Sequence, residues 1–395
     1  MGKSTQTDRI WNRSYCVLFV LNAVNSLSFY FMFASLLLYA KQVLGWDAAR
    51  IGLFGGVYAI AALVCRPVGG FLSDRYGARL PMLIGSILMM LSALFYGLSQ
   101  SFFAWILTRM LHGVAFSLSN TSMTSAVASS LPKRRMGEGI GYYGLAIILA
   151  QSVAPGLGLT MASGIGFDMV FYTSAILAGI CAAGVAFLVP NTPRTPVNPG
   201  RKKGVGDLVA VECLGFAAVG ATLSATNGIF STYLVLSAGE WGIPETALSS
   251  FYWVNGITLV LTRFLIGKIS KRLRSIQILT VSLLLCVASA VVMLRCRTIG
   301  VLCIVAALKG LGSGIGIPTL QAACFQRVSP ERNGVASSTY YIGADVGNGV
   351  GPMIAGQAVS MSSIGYDQAY IVNLVILAAG MLGLWRLSRQ TTRME

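Results

Sequence analysis

The stretch Gly70-Phe71-Leu72-Ser73-Asp74-Arg75-Tyr76-Gly77-Ala78-Arg79 decides how the rest of the chain is read. It lies between two apolar runs, Ile51–Val64 and Leu80–Leu98. An apolar stretch of roughly 18 or more residues with few charges has the length and composition of a membrane-spanning helix. The segment therefore reads as a tight, charged turn joining two spans. Glycines at 70 and 77 permit close backbone approach and a sharp reversal. Asp74 suits the N-terminus of a neighbouring helix, while Arg75 and Arg79 suit the anionic cytoplasmic face of a bilayer.

Composition extends this reading outward. Of the 395 residues 55% are hydrophobic and only 11% charged, with a mean hydropathy of +0.71. Soluble domains carry about 25% charged residues, so lipid solvates most of this chain. Apolar runs between charge clusters predict twelve helices, over 14–38, 48–72, 80–99, 104–130, 137–161, 168–189, 208–236, 246–267, 275–294, 299–323, 334–359 and 367–387. Lipid satisfies no open backbone group, so the runs are helical. They are too long and continuous for the alternating strands of a membrane barrel. The first run, from Ser14 to Ala40, is too long for a signal-peptide core and reads as the first span.

The placement of basic residues gives an orientation. Lys3, Arg9, Arg13, Arg75, Arg79, Lys133, Arg134, Arg135, Arg194, Arg201, Lys202, Lys203, Lys268, Lys271, Arg272, Arg274, Arg327, Arg332, Arg386, Arg389 and Arg393 fall on one side. The other side holds Lys41, Arg50, Arg295 and Arg297. Both termini are then cytoplasmic, in a multi-pass cell (inner) membrane protein. The same asymmetry accounts for a net charge of +16 without a nucleic-acid partner. The eight cysteines lie mostly in apolar runs without a CxxC or Cys/His cluster; they read as small buried apolar residues, with no disulfide framework and no metal site.

Residues 190–207 are rich in Pro, Gly and basic side chains and read as a cytoplasmic linker. It divides the chain into an N-terminal six-helix bundle, 1–189, and a C-terminal one, 208–395. The halves look like a repeat at an offset of 197: Gly45/Gly242, Arg66/Arg263, Gly70/Gly267, Arg75/Arg272, Gly113/Gly310, Arg135/Arg332, Gly137/Gly334, Tyr143/Tyr340 and Pro155/Pro352.

The opening stretch resembles the loop signature between helices 2 and 3 of the major facilitator superfamily, G-x-L-x-D-R-x-G-R-[RK]. Gly70, Leu72, Asp74, Arg75, Gly77 and Arg79 match, and Ala78 replaces the first basic residue of the closing pair. Parallel six-helix repeats are what such transporters show. The resemblance implies an all-α membrane protein, two pseudo-symmetric six-helix bundles making twelve transmembrane helices, and a cytoplasmic gate at this loop. The second copy of the loop, Gly267 to Arg274, has Lys271 where Asp74 stands, so the latch should be asymmetric. Asp74 is expected to face the helix start near Asn333–Gly334. Residues 120–131 hold no acidic partner for the loop arginines, and Glu138 is the expected substitute.

Charges inside spans are few: Arg66, Arg109, Arg263, Lys309, Asp345 and, near a helix start, Glu212. Each costs roughly 2.5–3.5 kcal/mol at the bilayer centre on insertion scales and is a functional candidate. Arg109-Met110-Leu111-His112-Gly113 is similar to the superfamily's R-x-x-[Q/H]-G signature, which the resemblance links to proton coupling and substrate contact. Arg109, His112, Phe116 and Asn120 share one helical face, against an alternative in which they form a packing stripe. Asn22, Asn25, Tyr30, Asn227 and Lys309 complete the candidate substrate-binding set, though asparagines in spans also serve as helix–helix glue. Asp345 is the carboxylate deepest in a span and, with Arg109, the candidate proton-coupling group; the rival reading is a permanent ion pair with Lys309. Helix 11 carries Gly347-x-x-x-Gly351-Pro352-x-x-Ala355-Gly356, a better copy of the antiporter signature than Ala154-Pro155-Gly156-Leu157-Gly158 in helix 5.

These residues point to a secondary transporter moving a small organic solute by alternating access. The favoured form is proton-coupled efflux of multidrug or metabolite type, by a monomer without a cofactor. The alternative is an uptake carrier or exchanger for a small organic anion, in line with the excess of interior cations. A membrane enzyme or non-transporting sensor is the rival from another class. Against it, the chain has no nucleotide loop, metal cluster or Ser/His/Asp set, and its polar segments are too short for a domain.

Overall fold

The computed structural model describes residues 9–98, 101–132, 135–190, 209–270, 272–295, 298–328 and 333–392. Its twelve helices are α1 Arg13–Gln42, α2 Ala48–Tyr76, α3 Arg79–Tyr96, α4 Phe102–Ser130, α5 Met136–Ile165, α6 Phe167–Leu188, α7 Leu214–Glu240, α8 Leu248–Ile269, α9 Ser275–Met293, α10 Ile299–Phe325, α11 Asn333–Ser360 and α12 Asp367–Thr392. The described residues contain no strand. Each helix falls within a few residues of its expected span. Among the described residues, ten are long and apolar enough to cross a membrane. The other two, α8 and α11, have the length but are interrupted by polar groups, Asn255 and Arg263 in one and Asp345 and Asn348 in the other.

The turn between the second and third spans is shorter than the sequence predicts. The expected loop over residues 70–79 is helical as far as Tyr76, and α3 begins at Arg79. Once its ladder of backbone hydrogen bonds is established, a helix persists beyond the apolar zone until a residue stops it. Gly77 does so, with φ +84° and its N–H still donating to the Ser73 carbonyl at 3.0 Å. Gly70 takes no part in the reversal: a Cβ there would meet no atom within 4 Å. Gly45 and Gly242, related by the 197 offset, are both left-handed, at φ +65° and +69°. They close α1 and α7 in the same way.

The chain forms two compact units. The first comprises Met1–Phe33 and Val64–Asn198, the second Ala34–Leu63 and Pro199–Glu395. In the first, α3 packs on α4 and α6. Its apolar core joins Tyr15, Leu18 and Leu21 to Met82, Met123, Val127, Cys181 and Val185. Polar pins cross between helices. The Tyr15 hydroxyl donates to the Gly139 carbonyl at 2.7 Å, and Ser28 and Ser174 donate to each other's carbonyls at 2.9 and 2.6 Å.

In the second unit the most extensive packing is between α7 and α11. A Cβ at Gly343, Gly347 or Gly351 would run into the backbone at Ala217, Ala221 or Ala225 respectively, each pair one turn further along. Small residues spaced by four on both helices let the two backbones touch. Gly228 answers from α7, facing the Asn348 carbonyl and the Pro352 ring. The first half of α2 joins this unit through the same device. Gly52 lies 3.1 Å by this measure from the Gly356 Cα, Gly56 faces the Gly349 carbonyl, and the Tyr233 hydroxyl faces the carbonyls of Pro352 at 2.9 Å and Ala48 at 3.2 Å.

The glycine seam gives a direct test. Gly347→Leu should destabilise the protein by about 1–3 kcal/mol through overpacking against the α7 backbone, read as a lower midpoint of thermal unfolding in detergent. Gly267→Ala, where a Cβ meets nothing within 4 Å, should leave the midpoint unchanged or raise it.

Candidate functional site

In the first unit the candidate residues gather along the seam of α1 and α4. Arg109 is fully buried, its guanidinium carbon 4.9 Å from the centre of the Phe33 ring and beside the Tyr96 hydroxyl. A cation over an aromatic face is attracted by the ring quadrupole, more strongly when desolvated. One turn along α4, the fully buried His112 ring lies 5.1 Å from Phe29 and 6.1 Å from Tyr96. Both of its ring nitrogens lack a hydrogen-bond partner among the described residues. Phe116 follows, 4.4 Å from Phe29. Arg109, His112 and Phe116 thus share the expected face, set in an aromatic sleeve with Phe29, Phe33 and Tyr96.

The other N-terminal candidates sit further along or to the side. Asn25 accepts a hydrogen bond from Ser119 at 3.2 Å, and the Asn22 amide donates to the Tyr143 carbonyl at 3.4 Å. Both are fully buried and each keeps one amide atom without a partner among the described residues, Oδ1 of Asn22 and Nδ2 of Asn25. Tyr30 is half-buried and meets Phe29 edge-on at 5.1 Å. Asn120 accepts from Thr124 on its own helix at 3.4 Å.

In the second unit the centre of the site is Lys309 on α10. Its residue is 6% exposed, and Nζ donates to Oδ1 of Asn227 on α7 at 2.7 Å. It also lies 5.8 Å from the centre of the Phe230 ring. Lys309 therefore makes its hydrogen bond to Asn227 and not to Asp345. Asp345 on α11 is 7% exposed and lies with Arg263 of α8 around Tyr340. The neighbouring Tyr341 hydroxyl accepts from Gln321 at 3.2 Å.

At the Gly70–Arg79 turn, Arg79 donates to the Ala186 carbonyl at the end of α6. Arg75 lies 5.8 and 5.4 Å from the ring centres of Phe71 and Tyr76. The side chains of Asp74, Glu138, Asn333 and Gly334 lie outside the described residues, and with them both expected latch contacts. The ion pair of Arg50 with Asp47, at 3.9 Å, is exposed; such pairs contribute little.

Two ring partners escaped the reading of the sequence although the repeat carried the signal. Phe33 and Phe230 differ by 197 positions, as do His112 and Lys309. Each half thus sets a cation of its fourth helix over a phenyl ring from its first, Arg109 on Phe33 and Lys309 on Phe230. A search of the offset for aromatic pairs, as well as for arginine and glycine, finds them.

Comparison with known proteins places this architecture. The chain is 24% identical over 364 residues to an uncharacterized MFS-type transporter of Methanocaldococcus jannaschii, covering 88% of this chain and 92% of the relative. It is 23% identical over 354 residues to the quinolone resistance protein NorA of Staphylococcus aureus, covering 84% of this chain and 88% of that one. The fold matches a POT family transporter solved in complex with a thioalcohol-conjugated peptide, with a TM-score of 0.81 at 14% identity over 96% of both chains. The sequence profile of the Major Facilitator Superfamily matches residues 18–296 and 213–394. With helices, repeat and loop signature in agreement, the chain belongs to the Major Facilitator Superfamily and is a transporter, not an enzyme.

Proposed function

We propose that this protein exports small organic solutes by alternating access, driven by protons moving the other way. The observation that carries proton coupling is Asp345, a carboxylate 7% exposed inside α11 at a helix seam built of glycines. A carboxylate that can be neutralised crosses an apolar environment at far lower cost than a fixed charge. The direction of transport is supported by the likeness to NorA, a protein named for quinolone resistance. Arg109, His112, Asn22, Asn25, Tyr30 and Asn120 of the N-terminal half, with Asn227 and Lys309 of the C-terminal half, form the substrate-binding set. Arg109, fully buried over the Phe33 ring, is the second residue of the coupling set.

The bundles are 1–189 and 208–395, the protein works as a monomer, and both termini face the cytoplasm of the cell membrane. Gly70, Asp74, Arg75, Gly77, Arg79 and Glu138 form the cytoplasmic gate. The bond from Arg79 to the Ala186 carbonyl, which ties the start of α3 to the end of α6, supports a rigid anchor for it.

A second reading, a carrier or exchanger for small organic anions, is favoured by one specific observation. The two cations most deeply buried in the spans, Arg109 at 0% and Lys309 at 6% exposure, lie against aromatic rings, and Lys309 has a neutral hydrogen-bond partner. Both could take an acidic group of a solute.

Transport assays separate the two. In everted vesicles given norfloxacin, tetraphenylphosphonium or benzoate, the export reading expects accumulation of norfloxacin or the cation that collapses when the pH gradient is dissipated. Benzoate exchange without any gradient dependence would replace it with the anion carrier. Asp345→Asn should retain solute exchange but lose gradient-driven accumulation by about tenfold or more, the scale of a lost coupling free energy. Full gradient dependence in this variant would remove Asp345 from the mechanism.

A further inference from the structure

We infer that Lys309 is a second proton-exchanging group of the transport cycle, in addition to binding solute; this rests on the proton-coupled reading above. The ammonium is buried in the middle of α10, yet its contacts are neutral: Oδ1 of Asn227 at 2.7 Å and the Phe230 ring at 5.8 Å. A fixed charge at that depth is usually matched by a carboxylate. Here the partner is an amide oxygen, and that difference decides what the lysine can do. After losing its proton the amine still carries N–H groups and still donates to Asn227, so the local hydrogen bond survives in both states. A lysine locked to a carboxylate would break an ion pair on deprotonation and leave an anion stranded.

Among the described residues, the groups facing Lys309 are neutral. From α7 the facing groups are Asn227 and Phe230. From α9 the titratable neighbour is the Cys286 thiol, which also packs on Gly312. From α8, Asn255 and Thr258 meet Gly310 next along the chain, and the Asn255 Oδ1 is buried without a partner among the described residues. The ionisable groups of α11, Asp345, Tyr340 and Tyr341, lie instead with Arg263 of α8. The contacts of Lys309 are thus an amide oxygen, a phenyl ring and a thiol.

The repeat supports the assignment independently. The equivalent position in the first half is His112, the sole histidine of the chain. It too is fully buried, and both of its ring nitrogens lack hydrogen-bond partners among the described residues. Both halves therefore place a nitrogen base able to gain and lose a proton just before a helix glycine, Gly113 or Gly310.

The test separates charge from proton exchange. Lys309→Arg preserves the cation but cannot deprotonate, and Lys309→Gln preserves neither. Both are assayed in everted vesicles and proteoliposomes with norfloxacin, tetraphenylphosphonium and benzoate, alongside the unsubstituted protein. In the arginine variant the ratio of gradient-driven accumulation to that variant's own gradient-free solute exchange should fall about tenfold or more relative to the unsubstituted protein. The glutamine variant should also lose gradient dependence, which covers the case in which arginine does not fit the pocket. If the unsubstituted protein shows no gradient dependence with any probe, the proton-coupled reading falls and this inference with it. If the unsubstituted protein is gradient-driven and either variant keeps that dependence, the inference alone is overturned.

Discussion

Hydrocarbon solvates neither an open peptide group nor a charge, and every feature of this protein answers to that constraint. The backbone meets it with helices whose hydrogen bonds close internally. Side chains meet it less completely. Polar groups that must remain in the spans are turned inward and joined to other helices, as with Ser28 on Ser174, Tyr15 on Gly139 and Thr226 on Asn373. Each such bond removes a donor from an environment where leaving it open is costly. The charges buried in the spans among the described residues, Arg109, Lys309 and Asp345, are therefore the natural place to look for chemistry.

Without a hydrophobic difference between lipid and side chain, the helices need another reason to associate. In the second unit that reason is close approach. The α7–α11 seam alternates glycine on one helix with alanine on the other, so that backbone meets backbone over several turns. The same helix, α11, meets the first half of α2 through Gly349 and Gly356 facing Gly56 and Gly52. Tyr233 closes this corner by pointing its hydroxyl at carbonyls of both α2 and α11. A helix packed by glycine on two sides can slide or tilt without unlocking large side chains. That property suits a helix carrying an ionisable residue that must change surroundings during transport.

The two buried cations illustrate how an internal repeat can diverge while keeping its physics. Arg109 and Lys309 are not at equivalent positions, being one helical turn apart in the repeat, yet each lies over the equivalent phenylalanine. The ring supplies an apolar surface that still attracts positive charge, so it tolerates a cation without fixing it as a carboxylate would. A solute bearing an acidic or electron-rich group can compete for such a cation. A permanent ion pair would have to be broken first.

The sequence by itself determined the class, the number and the rough limits of the helices, because length and apolarity are local properties that lipid reads directly. It also determined the repeat and the family, since Gly70, Asp74, Arg75, Gly77 and Arg79 and the 197 offset are visible in one dimension. The inward positions of Arg109, His112 and Asp345 followed from the cost of placing polar groups in hydrocarbon. What only the tertiary structure decided is who meets whom. Whether Lys309 pairs with Asp345 or Asn227, and which ring lies beneath Arg109, depends on helix rotation, and apolar sequences leave rotation almost unspecified. The length of the turn after α2 was likewise hidden: charge marks where the membrane ends, whereas the backbone conformation of Gly77 marks where the helix ends, and the two need not coincide.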